Sequence, residues 1–295
     1  MNAMNRRKLL ALYNLKWDPF AQELPTEALI PTRQFEHFAW RMEQLVFQGG
    51  FAKIQGLPGT GKSVALRMLS DRLGNLRDVA VGVLTRPQSK VPDLYREMGE
   101  IFGVKLSASN RWGGFKMLRD KWRAHVETTL VRPTLLIDEA QQMNPDSLSE
   151  LRLLQSANFD SVSYLTVVIC GDERLSQLLA HPELLPVANR IRVRLNLEHT
   201  SSSELLNILE NVLEKAGNRN LLTRELAETM VDHSGGNIRT LMIMGSELLE
   251  AAARKEVTRL DEKLYLEVFQ SPQVSAERER KAGRETKGAE RRRTR

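Results

Sequence analysis

Gly56-Leu57-Pro58-Gly59-Thr60-Gly61-Lys62-Ser63 is the stretch on which the fold of this chain turns. It satisfies G-x-x-x-x-G-K-[ST], a pattern that needs each residue type where it stands. The glycines let backbone N–H groups turn inward around phosphate oxygens, and the start of the following helix adds the positive end of its dipole. Lys62 has the reach to meet the β- and γ-phosphates of a nucleoside triphosphate, and the Ser63 hydroxyl suits Mg²⁺. The nucleotide-binding set is then Gly56, Pro58, Gly59, Thr60, Gly61, Lys62, Ser63 and Val64. On one side, Phe51 to Gln55 reads as a strand. On the other, Val64, Leu66, Leu69 and Leu73 recur at roughly helical spacing from Lys62 to Leu73.

Outward from that loop the chain alternates. Val79 to Leu84 is a second strand, and Thr134 to Ile137, Tyr164 to Ile169 and Ile191 to Leu197 read as three more. Between them lie helical patterns: Pro92 to Phe102, Phe115 to Leu130, a helix opened by Asn144-Pro145 and running to about Asn158, and Glu173 to Leu179. In the second of these, Leu118, Trp122, Val126 and Leu130 recur four apart. Strands separated by helices predict an α/β domain over 1–198, a parallel sheet sandwiched by helices. Beyond it the strand signals stop. Ser201 to Glu204 form a capping box, Thr223 is a second cap, and Gly235-Gly236 precede a helix from about Asn237 to Arg254. Thr258 and Asp261 open a last helix, giving a small helical domain over 199–272.

Thr134-Leu135-Leu136-Ile137-Asp138-Glu139 is an apolar strand that delivers two carboxylates at its C-terminal end. In open α/β sheets ligands bind at that edge. Asp138 suits the Mg²⁺ shell and Glu139 the polarisation of an attacking water, in a reaction where positioning and charge stabilisation supply most of the catalysis.

Of the 295 residues, 41% are hydrophobic and 27% charged, which excludes a wholly disordered chain. The single cysteine, Cys170, closes no internal disulfide and follows an apolar strand, so it reads as buried filler. The histidines show no metal-ligand spacing. The longest apolar stretches are strand-sized, where a bilayer span takes about 20 residues, and no export signal follows Arg6-Arg7-Lys8. A cytoplasmic protein without a membrane partner is expected. The net charge of +6 is concentrated at one end: residues 275–295 hold nine Lys and Arg against four acids and no Leu, Ile, Phe or Val. A disordered basic tail over 273–295 follows, able to add non-specific affinity for a polyanion. Trp40 and Trp122 sit on amphipathic stretches and read as core.

Taken together, the loop at 56–63, Asp138-Glu139, the strand after them and the helical C-terminal domain resemble an AAA+ ATPase of the P-loop NTPase class. Tyr13-Asn14-Leu15-Lys16-Trp17-Asp18-Pro19-Phe20 resembles the opening segment of ExeA/GspA-type ATPases. Asp138-Glu139-Ala140-Gln141 matches their DEAQ, and Ser234-Gly235-Gly236-Asn237-Ile238-Arg239 their lid signature. The resemblance spans about residues 13–270, and the same branch is similar to the transposition helpers of the TnsC, TniB and MuB types. It implies ATP and Mg²⁺ as cofactors, with Glu139, Lys62 and an arginine finger as the catalytic groups. Asp172 falls at the sensor 1 position, where the family more often has Asn, Gln or Thr. Arg239 matches the lid arginine that contacts ATP. Arg190, in Ala188-Asn189-Arg190-Ile191, resembles the finger that reaches a neighbouring subunit's nucleotide, which implies a homo-oligomer. Arg192 and Arg194 are its rivals, since in an extended segment all three point to one face. Trp17 and Phe20 pack either near the adenine or in the core.

The resemblance to TnsC-type proteins also implies contacts to double-stranded DNA in this part of the domain. Arg86 and Lys90 follow the second strand, and Lys105, Arg111 and Lys116 lie in or beside a polar stretch with Trp112, expected as a flexible loop facing a DNA backbone. The expected function is an ATP-dependent regulator of transposition that oligomerises on target DNA, recruits or activates a transposase and disassembles on hydrolysis. The alternative is an ExeA/GspA-type ATPase assisting assembly of a secretion complex.

Overall fold

The computed structural model describes residues 3–105 and 111–269. In chain order the main elements are α1 (Ala3–Leu12), α2 (Arg33–Gln48), β1 (Gly50–Gly56), α3 (Lys62–Gly74), β2 (Val79–Leu84), α4 (Val91–Phe102), α5 (Arg111–Ala124) and β3 (Arg132–Ile137). They continue with α6 (Pro145–Gln155), β4 (Thr166–Gly171), α7 (Glu173–Leu179), β5 (Ile191–Leu197), α8 (Ser202–Ala216), α9 (Arg224–Ser234), α10 (Ile238–Lys255) and α11 (Glu262–Phe269). Two units form. One holds 25–200 with Asn237–Arg239; the other holds the remaining described residues, 3–24, 201–236 and 240–269. The basic tail expected over 273–295 lies outside the described residues.

Among the described residues, five strands make the sheet of the first unit, in the order β2-β3-β4-β1-β5 and all parallel. Parallel neighbours need crossover helices, and those helices bury both faces, so β4 is buried along its whole length. The pleat divides the strand residues between two apolar layers. Leu135, Ile137, Val167 and Ile169 pack with Leu94, Met98, Leu118 and Trp122, whereas Leu136, Val168 and Cys170 pack with Phe38, Met42 and Leu69. Arg72 of α3 pairs with both Glu36 and Glu43 of α2 at 2.6 Å, which fastens those two helices side by side.

Several expectations needed correction. Residues 33–48 form a helix that the sequence reading left unassigned. Thr32 caps it by accepting from the Phe35 amide, and Phe35, Phe38, Ala39, Met42, Leu45 and Val46 line its buried face. Trp40 lies on the other face, 55% exposed, so it is not core; Trp122 is buried as expected. Arg111 to Gly114 form the first turn of α5 rather than a flexible loop, while residues 106–110 lie outside the described residues. At its far end α5 gives way to a widened turn, residues 125–129, and Leu130 is exposed. Leu118 and Trp122 lie within α5 and reach the core, but Leu130 lies past the widened turn at φ 59°, out of helical geometry. The helix α6 stops at Gln155, because Asn158, Phe159 and Asp160 all take positive φ at the tip of a small hairpin pairing Ser156 with Ser163. Asn and Asp tolerate that left-handed conformation; Phe159 does not favour it.

The helical unit gains a segment that had been expected with the α/β domain. Lys16 donates its amide to the Ala216 carbonyl at 2.8 Å, the Tyr13 hydroxyl donates to the Val257 carbonyl at 2.8 Å, and Asn218 donates to the Tyr13 carbonyl at 2.9 Å. Phe20 lies so close to Gly245 that an added Cβ would sit 2.3 Å from its ring. Helix ends carry the expected caps: Ser201 and Glu204 form the reciprocal box, and Thr223 accepts from the Leu226 amide.

Trp122 packs edge-on to Phe102 at 5.3 Å between ring centres. Trp122→Ala should therefore lower the unfolding free energy by about 3–5 kcal/mol, against about 0.5 or less for Trp112→Ala at an exposed site. Urea denaturation followed by circular dichroism measures both; equal effects would contradict the packing described.

Candidate functional site

The sheet order brings the C-terminal ends of β1, β3 and β4 side by side, and the turn from β1 into α3 sits at that edge. Gly56 has no room for a side chain: an added Cβ would lie 2.6 Å from both the Leu197 carbonyl oxygen and the Thr60 hydroxyl. Gly59 and Gly61 take φ of 84° and 93°, conformations that suit glycine. The loop is closed on itself, with the Thr60 hydroxyl donating to the Leu57 carbonyl at 2.9 Å and the largely buried Lys62 ammonium donating to the same carbonyl at 3.0 Å. Lys62 lies at the start of α3 and its ammonium hydrogen-bonds a carbonyl rather than a carboxylate, a contact an anion can replace. Asn237 covers the loop from above, donating to the Pro58 carbonyl at 3.2 Å, and the Arg239 amide donates to the Gly59 carbonyl at 3.3 Å. Pro58, Ser63 and Val64 thus lie with the three glycines, and Arg239 meets them through its backbone amide.

At the end of β3, Asp138 accepts a 2.8 Å hydrogen bond from the Ser63 hydroxyl. A hydroxyl and a carboxylate held that close are a matched pair of hard oxygen donors for Mg²⁺, and the glycine turn with Lys62 fits a triphosphate, so the residues present suit both groups. Glu139 takes φ 50°, unusual for a residue with a side chain, and donates its amide to Asp138 at 2.9 Å. Its carboxylate accepts from the Gln141 amide nitrogen at 2.5 Å, and the Gln141 amide oxygen accepts from the Asp172 backbone N–H at 3.4 Å. Gln141 thus spans from the end of β4 to Glu139. The span depends on Gly171, where a Cβ would lie 2.4 Å from the Gln141 oxygen. The sequence reading quoted Gln141 only within DEAQ and gave it no task; a glutamine two residues after the acid pair was the available signal.

Other candidates are placed differently from each other. The Asp172 carboxylate accepts from the Arg174 amide at 2.9 Å and pairs with its guanidinium at 2.6 Å, which holds it below the usual carboxylate range. It serves α7 as a cap. Arg190 donates to the Pro186 carbonyl at 2.5 Å and pairs with Asp160 at the hairpin tip. Arg192 and Arg194 do not share a face. The register shifts between Phe51 and Ala52, opposite Ile191 and Val193, leaving Arg192 as an extra residue. Its Cδ lies beside Gly50 on the α2 side, near Leu45, while Arg194 lies beside Lys53 on the α7 side. The bulge is the physical reason that simple alternation fails here. Arg86 and Lys90 are exposed between β2 and α4, Lys105 is exposed beyond α4, Arg111 opens α5, and Lys116 is exposed one turn on. Cys170 is buried in the sheet, which pushes its thiol up and leaves it inert.

Residues 44–179 match the family described as an AAA domain. General secretion pathway protein A of Aeromonas hydrophila is 30% identical over 208 residues, which is 69% of this chain and 37% of that protein's length. Among solved structures, Cdc6p from Pyrobaculum aerophilum superposes with a TM-score of 0.67 at 15% identity, over 82% of this chain and 67% of that one. Drosophila ORC bound to DNA gives 0.66 at 18%, over 94% and 70%. At these identities the two structures establish a shared fold. The AAA-domain match over residues 44–179, with the site geometry above, supports ATP hydrolysis on a five-stranded parallel sheet flanked by helices.

Removing the Gln141 bridge should leave nucleotide affinity within about twofold and lower kcat by roughly 10–100-fold, since small misplacements of a reacting group carry that cost. Steady-state ATPase assays with Gln141→Ala and Gln141→Leu measure this; unchanged kcat would show the bridge to be incidental.

Proposed function

We propose that this protein is an ATP-driven regulator of DNA transposition that assembles as a homo-oligomer on duplex DNA and recruits or activates a transposase. The observation that carries the DNA component is the exposed set around α4 and α5: Arg86, Lys90, Lys105 and Lys116, with Trp112 74% exposed among them. Basic side chains meet phosphates without regard to sequence, and a bare aromatic ring beside them adds a stacking surface. The solved structure of Drosophila ORC bound to DNA, a similar fold, supports the same reading.

Bound Mg²⁺–ATP would supply the phosphoanhydride to be cleaved. Ser63 and Asp138 hold the metal, while Lys62 exchanges the Leu57 carbonyl for phosphate oxygens. Glu139, aligned by Gln141, orients water and takes up its proton. Arg239, already anchored through its amide, turns its side chain to the nucleotide. Arg190 exchanges Asp160 and Pro186 for the nucleotide of a neighbouring subunit, so turnover depends on assembly.

A second reading rests on the match to General secretion pathway protein A: an ATPase assisting assembly of a secretion complex. Among the described residues no helix is long and apolar enough to cross a membrane. The proposal places the protein in the cytoplasm.

Glu139→Gln should reduce turnover by about 100-fold or more while ATP binding stays within about twofold. The variant should then accumulate as an ATP-bound oligomer on duplex DNA, seen by filter binding and negative-stain microscopy at low salt. Neutralising Arg86, Lys90 and Lys116 together should weaken that binding and flatten its salt dependence by about three ions. An oligomer indifferent to DNA would overturn the DNA reading and favour the secretion reading.

A further inference from the structure

The bulge at Arg192 has an electrostatic consequence. Upstream of it, Ile191 packs with Phe51 in the layer beneath α4 to α7; downstream, Val193 and Leu195 pack with Ala52 and Ile54 in the layer beneath α2 and α3. Alternation is therefore inverted, and Arg194 lands on the α7 face directly in register with Lys53 of β1. Two cations opposite each other on neighbouring strands repel. Neither forms an ion pair among the described residues.

Lys53 is a half-buried lysine in the middle of a strand whose one other polar side chain is Gln55. Its ammonium donates to Gln55 Oε1 at 2.6 Å and to Ser176 Oγ at 3.0 Å, and the Ser176 hydroxyl donates to the same Gln55 oxygen at 2.7 Å. Those neutral partners use two of its three N–H groups. Burial, and then the nearby Arg194, push the ammonium below the ordinary lysine value. A cavity of about 250 Å³ opens against these two side chains, and Leu179, Leu185 and Ile191 form its apolar wall. Positive charge at one side and alkyl surface at the other define the occupant's chemistry.

We propose that this pocket binds an amphipathic carboxylate, with its head between Lys53 and Arg194 and its alkyl part on Leu179, Leu185 and Ile191. The planar guanidinium of Arg194 accepts a carboxylate in two-point fashion, and the third N–H of Lys53 completes the grip. A carboxylate also removes the repulsion between the two cations. The chemistry is shared by a free short-chain acid and by an acidic side chain next to an apolar one in a peptide. The site lies mid-strand, three residues before Gly56, and is separate from the phosphate loop.

The test uses full-length protein saturated with ADP and Mg²⁺, so that the phosphate loop is filled. Hexanoate, N-acetyl-Leu-Glu-amide, inorganic phosphate and hexanol are the probes. Trace labelling with acetic anhydride, read by peptide mass spectrometry, follows the reactivity of Lys53 relative to exposed Lys116. A carboxylate beside Lys53 favours its charged form, so hexanoate or the dipeptide should slow labelling by about threefold or more at millimolar concentration. Calorimetry should show that binding weakened about tenfold or more by Arg194→Gln or Lys53→Met, each of which leaves ADP binding intact. Tighter binding of the dipeptide assigns the site to a peptide segment, and tighter binding of hexanoate to a free acid. Phosphate as effective as hexanoate, hexanol as effective as hexanoate, or no protection by either carboxylate would overturn the proposal.

Discussion

The turn from β1 into α3 is the constraint on which the rest depends. It reverses the backbone within the few residues between Gly56 and Lys62, and two glycines with positive φ and one with no space for a Cβ make that possible. Once α3 starts there, it must pack on the sheet, and the parallel order sets β4 and then β3 beside β1 on the other flank. The Ser63–Asp138 hydrogen bond is the outcome: two residues 75 positions apart meet because strand ends align at one edge. A substitution at Gly56 would strike the Leu197 carbonyl at the end of β5 and the Thr60 hydroxyl inside the loop, so the sheet and the loop share one steric limit.

Around that edge the reactive side chains are held by neighbours. Lys62 rests on a carbonyl, Glu139 on Gln141 and Asp172 on Arg174; at the opposite end of the sheet, where β5 begins, Arg190 rests on Asp160 and Pro186. Each of these contacts is one that a charged ligand or another subunit can replace. The Gln141 bridge also ties Glu139 to the backbone at the end of β4, where α7 begins, so a shift of α7 reaches the Glu139 carboxylate through a single side chain. Under the proposed coupling of turnover to assembly, Arg190 and α7 belong to the same stretch between β4 and β5.

Much of this was legible in the sequence, and what was not has definite causes. The phosphate loop and the Asp138-Glu139 strand end carry their chemistry in residue type and spacing, so both appear where expected. Helix caps at Ser201 and Thr223 were legible because the capping hydrogen bond is local. The helix over 33–48 carries its own signals, a Thr32 cap and a buried face from Phe35 to Val46, with Trp40 on the exposed side. The bulge at Arg192 was not legible, because a β-bulge is set by the partner strand and leaves no mark on its own sequence. The same is true of residues 3–24, whose place in the helical unit follows from contacts to Ala216, Gly245 and Val257, far away in the chain.

The central claim is that Gly56–Ser63, Asp138 and Glu139 make one Mg²⁺–ATP site in each chain. Titration with a fluorescent ATP analogue, with Mg²⁺ and again with excess chelator, tests it most directly. The account predicts one nucleotide per chain, weaker binding when the metal is withdrawn, and loss of binding by about tenfold or more in Lys62→Ala. Binding that is unaffected by Lys62→Ala, or a stoichiometry near zero in the folded wild-type protein, would contradict it.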